Sequence, residues 1–404
     1  MRGLATYEGS PEIAPSFTRD AFDNAVRYAL NESVDLVLIA GDAYDGEWND
    51  FSTGVFLVRQ LTRLGEAGIP VVMIYGNHDQ ASPITGRLRF PDGVTVLSPK
   101  RPETIRFDAL GLAVHGQSFA SREVPLDLAA NYPPAIADMV NIGLLHTSFA
   151  GNAAHDTYAP TSAAVLSRVG YDYWALGHIH IRGAVSETPP AWYAGCVQGR
   201  SVKEAGAHGG LLVKLEPGEA PQIEQLDFDL LRFVTLTVDC QGVSGMDDVL
   251  ERCRKAFGNA VEGSDGRPVA ARVSLVGETT LSRWLLARED QLVAELRIAA
   301  SHEAHDRLWL GRVSVQTSEP AAASAADSEL TRALDDALLD ARTAPELTAV
   351  ISELVSSLPR QMLEDGEPLS WLANPDLAVK HLIDKGRARL DDALGLIATD
   401  LGQS

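Results

Sequence analysis

The chain is 404 residues long, enough for two or three domains that bury full cores without disulfide staples. Its 45% hydrophobic and 22% charged content is that of an ordinary soluble protein, and a formal net charge of −21 excludes one that simply coats nucleic acid. Three cysteines in no zinc-like spacing, Cys196, Cys240 and Cys253, and the lack of any apolar run near the roughly 18 residues of a bilayer span predict a cytoplasmic protein without a membrane anchor.

Between residues 16 and 30, Phe22, Val26 and Leu30 recur at i, i+4 and i+8, the spacing of an amphipathic helix. The apolar run at 34–40 reads as a buried strand. Residues 51–64 repeat the helical pattern through Val55, Phe56, Val58, Leu61 and Leu64, and a second apolar run follows at 69–75. Strand, helix and strand bounded by glycine predict an α/β sheet covered on both faces. From 94 to 118 the texture shortens to hairpin-like segments at 104–107 and 112–116. Further short strands are expected at 142–145 and 173–176, and 211–215 is expected to close the sheet before an acidic turn at 216–221.

A second unit opens near Phe233. Strand patterns at 233–238, 270–275 and 308–315 alternate with helical patterns at 246–257 and 281–299, the order of a small α+β module. Residues 318–328, rich in Ala and Ser with Glu319 among them, read as a linker. Beyond it Leu330, Leu334 and Leu338, then Leu347, Val350, Ile351, Leu354, Val355 and Leu358, form helical stripes, and 381–401 offers a third helix. The expected division is therefore 1–230, 231–317, the linker 318–328 and a helical segment 329–404.

Four polar motifs punctuate the first half: Gly41-Asp42-Ala43-Tyr44-Asp45, Gly76-Asn77-His78-Asp79, Leu145-His146-Thr147 and Gly177-His178-Ile179-His180. A carboxylate, an amide oxygen and imidazoles together suit Mn²⁺, Fe²⁺ or Zn²⁺ better than Ca²⁺. Hydrolysis of a phosphate ester needs an activated water and charge neutralisation at the phosphoryl oxygens, which two adjacent metal ions supply. Asp42, at the end of a strand, has two oxygens with which to bridge such ions, and Asn77 can give its amide oxygen to one. His78 is free to contact the phosphate and the leaving oxygen, with Asp79 holding its ring in the useful tautomer. His178 and His180, two residues apart, would project to one side of an extended backbone and reach neighbouring ions. Asp45 reads as a cap for the next helix. Arg87, Arg89, Lys100, Arg101 and Arg106, with Arg200 and Lys203, form a basic patch in which Arg87, Arg89 and Arg200 are the candidate substrate contacts; cations of this kind are more often ordinary surface residues. His155 and His208 fit no slot and read as surface residues.

With these motifs the chain resembles the calcineurin-like metallophosphoesterases, and within them the SbcD/YhaO-type DNA repair exonucleases. The resemblance extends through Arg2-Gly3-Leu4 and through Tyr193-Ala194-Gly195-Cys196-Val197-Gln198-Gly199-Arg200, which is similar to a late strand-loop element of that family. It covers 1–230 strongly and the α+β module more weakly, as a capping module. It implies an α/β fold, a four-layer α/β/β/α sandwich. By likeness Asp42 is the bridging ligand, Asn77, His146 and His178 complete one metal site, His180 belongs to the other, and His78 is the catalytic histidine. The resemblance further implies two divalent ions, with Mn²⁺ the usual choice, DNA ends as substrate, an SMC-like ATPase partner on the C-terminal helices, and room for a homodimer.

Members of that family open with a strand ending in Asp-x-His that completes the second metal site. No Asp-x-His occurs before Asp42 here. The expectation is an N-terminally truncated sandwich whose start is assigned too far downstream, with Asp42 and His180 alone left at the second site. A phosphomonoesterase or nucleotide phosphatase on the same fold, and a non-catalytic subunit binding DNA ends or an ATPase, remain alternatives.

Overall fold

Apolar side chains at helical spacing turn α1 (Phe17–Glu32) and α2 (Phe51–Glu66) onto a sheet of three parallel strands, β1 (Val37–Ile39), β2 (Val71–Met73) and β3 (Val94–Val96). The structure, a computed structural model, describes residues 16–44, 51–82, 85–149, 158–320, 336, 345–358, 363 and 370–393. Arg2-Gly3-Leu4, Asp45, His155, most of the expected linker and the stripe through Leu330, Leu334 and Leu338 lie outside these residues.

The chain divides into two compact units, one of Pro15–Gly199 with Ala207–Leu230, the other of Arg200–Gly206 with the chain from Leu231 onward. In the first, a six-stranded sheet runs in the order β4 (Glu103–Phe107), β5 (Leu112–Gly116), β6 (Val140–His146), β7 (Tyr173–Gly177), β9 (Pro190–Tyr193), β8 (Gly183–Glu187). Hairpins make the antiparallel edges, β4 with β5 and β8 with β9, while β5, β6, β7 and β9 are parallel. The β8–β9 hairpin has no counterpart in the sequence reading, because Gly183, Ser186 and Pro190 interrupt its apolar pattern.

Period-two alternation explains the layering. Val71 and Met73 face the cluster of Val26, Leu57, Leu61 and Leu64 beneath the two helices. Val72 and Ile74 face the opposite way, into a core shared with Val114, Ile142, Leu144 and Tyr173 of the larger sheet. Leu145, Trp174 and Leu176 turn outward to α4 (Ala163–Val169) through Leu166. Three apolar layers between four layers of secondary structure make the α/β/β/α sandwich. Parallel strands covered on both faces have to read as continuous apolar runs, which is why β2 is buried throughout. Both runs shrink to short strands in the structure: Val34 serves to turn the chain out of α1, its N–H donating to the Ala29 carbonyl at 3.2 Å. The segment expected to close the sheet instead forms a two-stranded antiparallel ribbon, β10 (Gly209–Lys214) with β11 (Gln222–Asp227), which adds Val213, Leu215 and Ile223 to the middle core. Gln222, Glu224, Gln225 and Asp227 of β11 hide its strand character from a hydropathy reading.

The second unit holds three parallel strands, β12 (Arg232–Asp239), β13 (Val269–Glu278) and β14 (Leu308–Ser318), joined by α5 (Met246–Glu262) and by α6 (Ser282–Ala287) with α7 (Glu289–Ala304). The single helix expected over 281–299 is two, broken at Arg288, whose backbone leaves helical geometry at φ −115 and ψ 39. Val249, Cys253 and Phe257 of α5 and Leu292 and Leu296 of α7 bury one face of the sheet through Val273, Leu275, Leu310 and Val313. Cys240 and Cys253 are buried within this cluster. Beyond β14 lie α8 (Pro345–Ser357) and α9 (Pro375–Ala393). The fully buried Asp391 of α9 accepts bonds from Arg387 at 2.8 Å and from Arg283 of α6 at 3.2 Å, and Asp392 pairs with Arg288 at 2.7 Å. None of the described helices is long and apolar enough to cross a membrane.

One buried histidine makes the larger sheet sensitive to acid. Asn141 accepts the Ile136 N–H on Oδ1 and donates from Nδ2 to the carbonyls of Ile136 and Met139, so its Oδ1 can only accept from His115 Nε2, 3.0 Å away. The Thr104 hydroxyl, 2.8 Å from Nδ1, then donates to the ring's lone pair, and Tyr171 stacks on it at 4.3 Å. Burial lowers the His115 pKa below its usual 6.5, against the pull of Asn141. The unfolded chain therefore takes up this proton first, so His115 withholds nothing above pH 6.5 and lowers stability as pH falls below it. Urea midpoints measured between about pH 7.5 and 5 are expected to fall in the parent and to fall less in His115→Gln.

Candidate metal centre

All four motifs emerge at the carboxyl ends of parallel strands, the edge at which open α/β sheets gather functional groups. Asp42 follows β1, Asn77 begins the short helix α3 (Asn77–Ala81) after β2, His146 is the last residue of β6, and His178 follows β7. A glycine precedes three of them. At Gly76 an added Cβ would lie 2.3 Å from Asp42 Oδ1, and at Gly177 it would lie 1.9 Å from the Ala40 carbonyl oxygen. Only a bare backbone lets the two sheets approach this closely at their edges.

Ligand atoms of Asp42, His146 and His178 all lie within 4.8 Å of one another. His146 is fully buried, and its Nδ1–H donates to the Ala40 carbonyl at 2.9 Å. That bond fixes the tautomer and leaves Nε2 as the ring's outward atom. Nε2 stands 3.0 Å from Asn77 Oδ1 and 3.3 Å from Asp42 Oδ2. The rings of Phe119 and His178 meet that of His146 edge-on at 5.1 and 5.2 Å, and Tyr158 lies against His178 at 5.2 Å. Asp42 and His178 have φ of +53° and +103°, left-handed values that a side-chain-bearing residue holds only under constraint from its surroundings. The extended backbone expected through His178 and His180 is thus not what forms. The turn at His178 sends that ring to Asp42 and His146, while His180 lies beside the Cys196 thiol, their ligand atoms within 4.8 Å.

Asp79 is the residue whose role the sequence reading did not foresee. It is fully buried; its Oδ2 accepts the N–H of Asp42 at 2.6 Å and of Gly76 at 2.9 Å, and its Oδ1 accepts the N–H of Tyr44 at 3.3 Å. The His78 N–H in turn donates to Asp42 Oδ1 at 2.9 Å. One carboxylate therefore ties the first motif to the second through main-chain amides. The two acids divide their charge unequally. Burial resists ionisation of Asp42, but the bond and charge of His146, with the charge of His78, outweigh it and hold the carboxyl at about 2. Burial and the neighbouring Asp42 charge push Asp79 up to about 7 despite the amides it accepts.

The donor set fits a divalent cation. In the form that takes a metal, His146 keeps its proton on Nδ1 and offers the Nε2 lone pair beside two oxygen acceptors, Asp42 Oδ2 and Asn77 Oδ1. Three converging acceptors need a cation between them, and two oxygens with imidazole nitrogens match Mn²⁺, Fe²⁺ or Zn²⁺. Among the other candidates, Arg87 and Arg89 are exposed. Arg200 is paired with Glu204, its Nη2 donating at 2.9 Å, and Arg106 with Asp108. His208, expected at the surface, is buried, with Nδ1 3.3 Å from Cys196 Sγ. The signal that could have found the close approaches is the glycine ahead of Asp42, Asn77 and His178.

Comparison with known proteins agrees with this geometry. The family profile described as calcineurin-like phosphoesterase matches residues 16–182, and that of the middle domain of metallophosphoesterase YhaO matches 233–318. The chain is similar to the uncharacterized metallophosphoesterase YhaO of Bacillus subtilis, 32% identical over 300 residues that cover 72% of each protein. It is also similar to the DNA double-strand break repair proteins Mre11 of Haloferax volcanii (29% identical, 61% of this chain and 54% of that protein) and Methanopyrus kandleri (25%, 69% and 65%).

Two substitutions test how the centre is positioned. Asp79→Asn removes an acceptor from the amide cluster without touching a ligand, and should weaken divalent-metal affinity by about 10–100-fold in calorimetry while far-UV circular dichroism stays unchanged. Gly177→Ala drives a methyl into the Ala40 carbonyl, and should cost about 1–3 kcal/mol in denaturant unfolding.

Proposed function

Because the chain belongs to the calcineurin-like metallophosphoesterase family, we propose that it is a metal-dependent phosphodiesterase that cleaves DNA from its ends, with Mn²⁺ as the working ion. The observation that carries this reading is the convergence of His146 Nε2, Asn77 Oδ1 and Asp42 Oδ2 beside His178. Among the relatives, proteins named for DNA double-strand break repair favour a nucleic-acid diester over a small monoester.

Divalent ions bound there supply Lewis acidity at the phosphoryl oxygens and acidify a water for attack. The protein's own contribution begins with Asp42, kept ionised and shared between the ligand positions. His146, locked by Ala40, presents Nε2 without having to reorient, and Asn77 adds a neutral oxygen. His180 serves the second position. His78 lies close enough to Asp42 for its charge to lower that carboxyl's pKa, and its imidazole is the group that protonates the leaving oxygen. Asp79 positions the main chain on which both act. Arg87, Arg89 and Arg200 are the proposed contacts to the DNA backbone. Apolar side chains exposed on α8 and α9, Val350, Leu354, Leu377 and Leu382, suit a protein partner, which we take to be an SMC-like ATPase.

Incubation of the purified chain with Mn²⁺, end-labelled duplex DNA and a chromogenic phosphomonoester tests the proposal. Shortening of the DNA that stops on chelation is the expected result. Hydrolysis of the monoester alone would make the protein a phosphatase, and binding of DNA ends without cleavage of either substrate would make it a non-catalytic subunit.

The residue roles separate in two variants. Asp42→Ala should abolish Mn²⁺ binding in calorimetry; unchanged affinity would rule out the bridging role. His78→Ala should keep its metal yet lose turnover by about 10²–10⁴-fold, and a variant that cut DNA at the parental rate would rule out proton transfer by His78.

A further inference from the structure

The loop between β7 and β8, residues 178–182, carries His178 and His180 yet forms neither helix nor strand. A ligand on such a loop is placed by whatever the loop is tied to. The His180 carbonyl accepts the Cys196 N–H at 2.9 Å, and the Cys196 carbonyl in turn accepts the Gly209 N–H at 3.1 Å, at the start of β10. Gly195, with φ of +74°, closes on the same loop. An added Cβ there would lie 2.9 Å from the His180 carbonyl oxygen and 2.8 Å from Arg182 Cγ.

Two residues beyond His180, burial runs against residue type. Ile181 is 59% exposed, whereas the Arg182 side chain keeps 6% of its surface. A buried guanidinium is costly unless its donors are met, and here the fork grips the ribbon of β10 and β11. Nη2 donates to Asp227 Oδ1 at 2.6 Å, and Nη1 donates to the Leu226 carbonyl with the Gly210 carbonyl 3.5 Å away. Gly210 and Leu226 are partners in the ribbon's register, so one side chain spans both strands. An added Cβ at Gly209 would lie 1.8 Å from the Leu226 carbonyl oxygen, so bare backbone there keeps that acceptor open. Val213 and Ile223 already pack the ribbon into the middle core. What the arginine adds is direction, because planar, charge-assisted donors fix an angle that apolar contacts leave loose.

We propose that Arg182 is a positioning residue, which ties the loop to the β10–β11 ribbon and so sets the place from which His180 serves the second metal position. The inference rests on the reading of His180 as a ligand there. It gives the ribbon a function, the rigid support of a ligand loop, with Asp227 and the Leu226 carbonyl as its grip. Partners of this outer kind decide how well a ligand is aimed, although they never touch the ion.

Equilibrium dialysis of the full chain against Mn²⁺ is expected to show a tighter and a weaker ion, and electron paramagnetic resonance at saturation to show the two spins coupled. Arg182→Gln should weaken the second ion by about 10–100-fold and leave the spectrum of isolated Mn²⁺, with the first ion bound as in the parent. Arg182→Lys, a single point of charge on a flexible stem, should recover part of the loss. Asp227→Asn keeps a neutral acceptor and the ribbon's pairing, and should fall between the parent and Arg182→Gln; it carries the test if the glutamine variant fails to fold. Parental affinity for the second ion in either Arg182→Gln or Asp227→Asn would overturn the proposal. So would equal weakening of both ions, the mark of a role in folding alone. A parent that holds one ion, or a His180→Ala variant that holds two, would overturn the ligand reading and the proposal together.

Discussion

The close approach of β1 and β7 at their carboxyl ends is the constraint on which the rest of the first unit depends. Gly177 lies so near the Ala40 carbonyl that no side chain fits between them. That same carbonyl accepts the Nδ1–H of His146, so one peptide oxygen sets both the spacing of the two sheets and the tautomer of a buried ligand. Layers packed at ordinary sheet-to-sheet distance stand about 10 Å apart. Here the edges pinch inward, and the pinch lets a carboxylate, an amide and two imidazoles from four different strand ends meet. The left-handed backbones of Asp42 and His178 are consequences of that pinch, held by packing beneath them rather than by local preference.

Electrostatics then sort the two buried acids. They sit at either side of the same backbone, joined through amides, and cannot both ionise freely. Asp42 keeps its charge because imidazoles face it. Asp79 has only backbone amides in direct contact and the more distant charge of His146, and burial with its neighbour's charge outweighs both. An ionised ligand toward the opening and a reluctant acid behind it is the arrangement a cation site needs. Positive charge entering the centre is attracted by the first and rewarded again by relief of the second.

The second unit solves a different problem. A three-stranded parallel sheet has two faces, and its helices cover one of them. The unit's C-terminal helix is held to α6 through Asp391, a carboxylate with no exposure that two arginines share. Breaking one partner of such a buried group leaves the other uncompensated, which makes this attachment specific rather than merely adhesive.

Much of this was legible in the residues themselves. Continuous apolar runs marked β1 and β2, helical spacing marked α1, α2 and α5, and the β-α-β-α-β order of the second unit followed from alternating patterns. The residues that meet at the candidate centre, Asp42, Asn77, His146 and His178, could be named because each ends a strand-like run with a polar group of ligand type. What the residues could not reveal were the relations between distant segments. The strand at 211–215 was foreseen, but its partner β11 was hidden because the exposed Gln222, Glu224 and Gln225 mask alternation. His208 was misplaced at the surface because a lone histidine carries no burial signal. Asp79 was assigned to the imidazole beside it, whereas its carboxylate reaches the amides of Asp42, Tyr44 and Gly76. Sequence by itself determined which side chains carry the chemistry and which strands deliver them, since those depend on local pattern and residue type. Tertiary structure alone decided which carbonyl fixes His146, which acid stays charged and which arginines hold Asp391, because distances, dielectric surroundings and packing exist only once the chain has closed on itself.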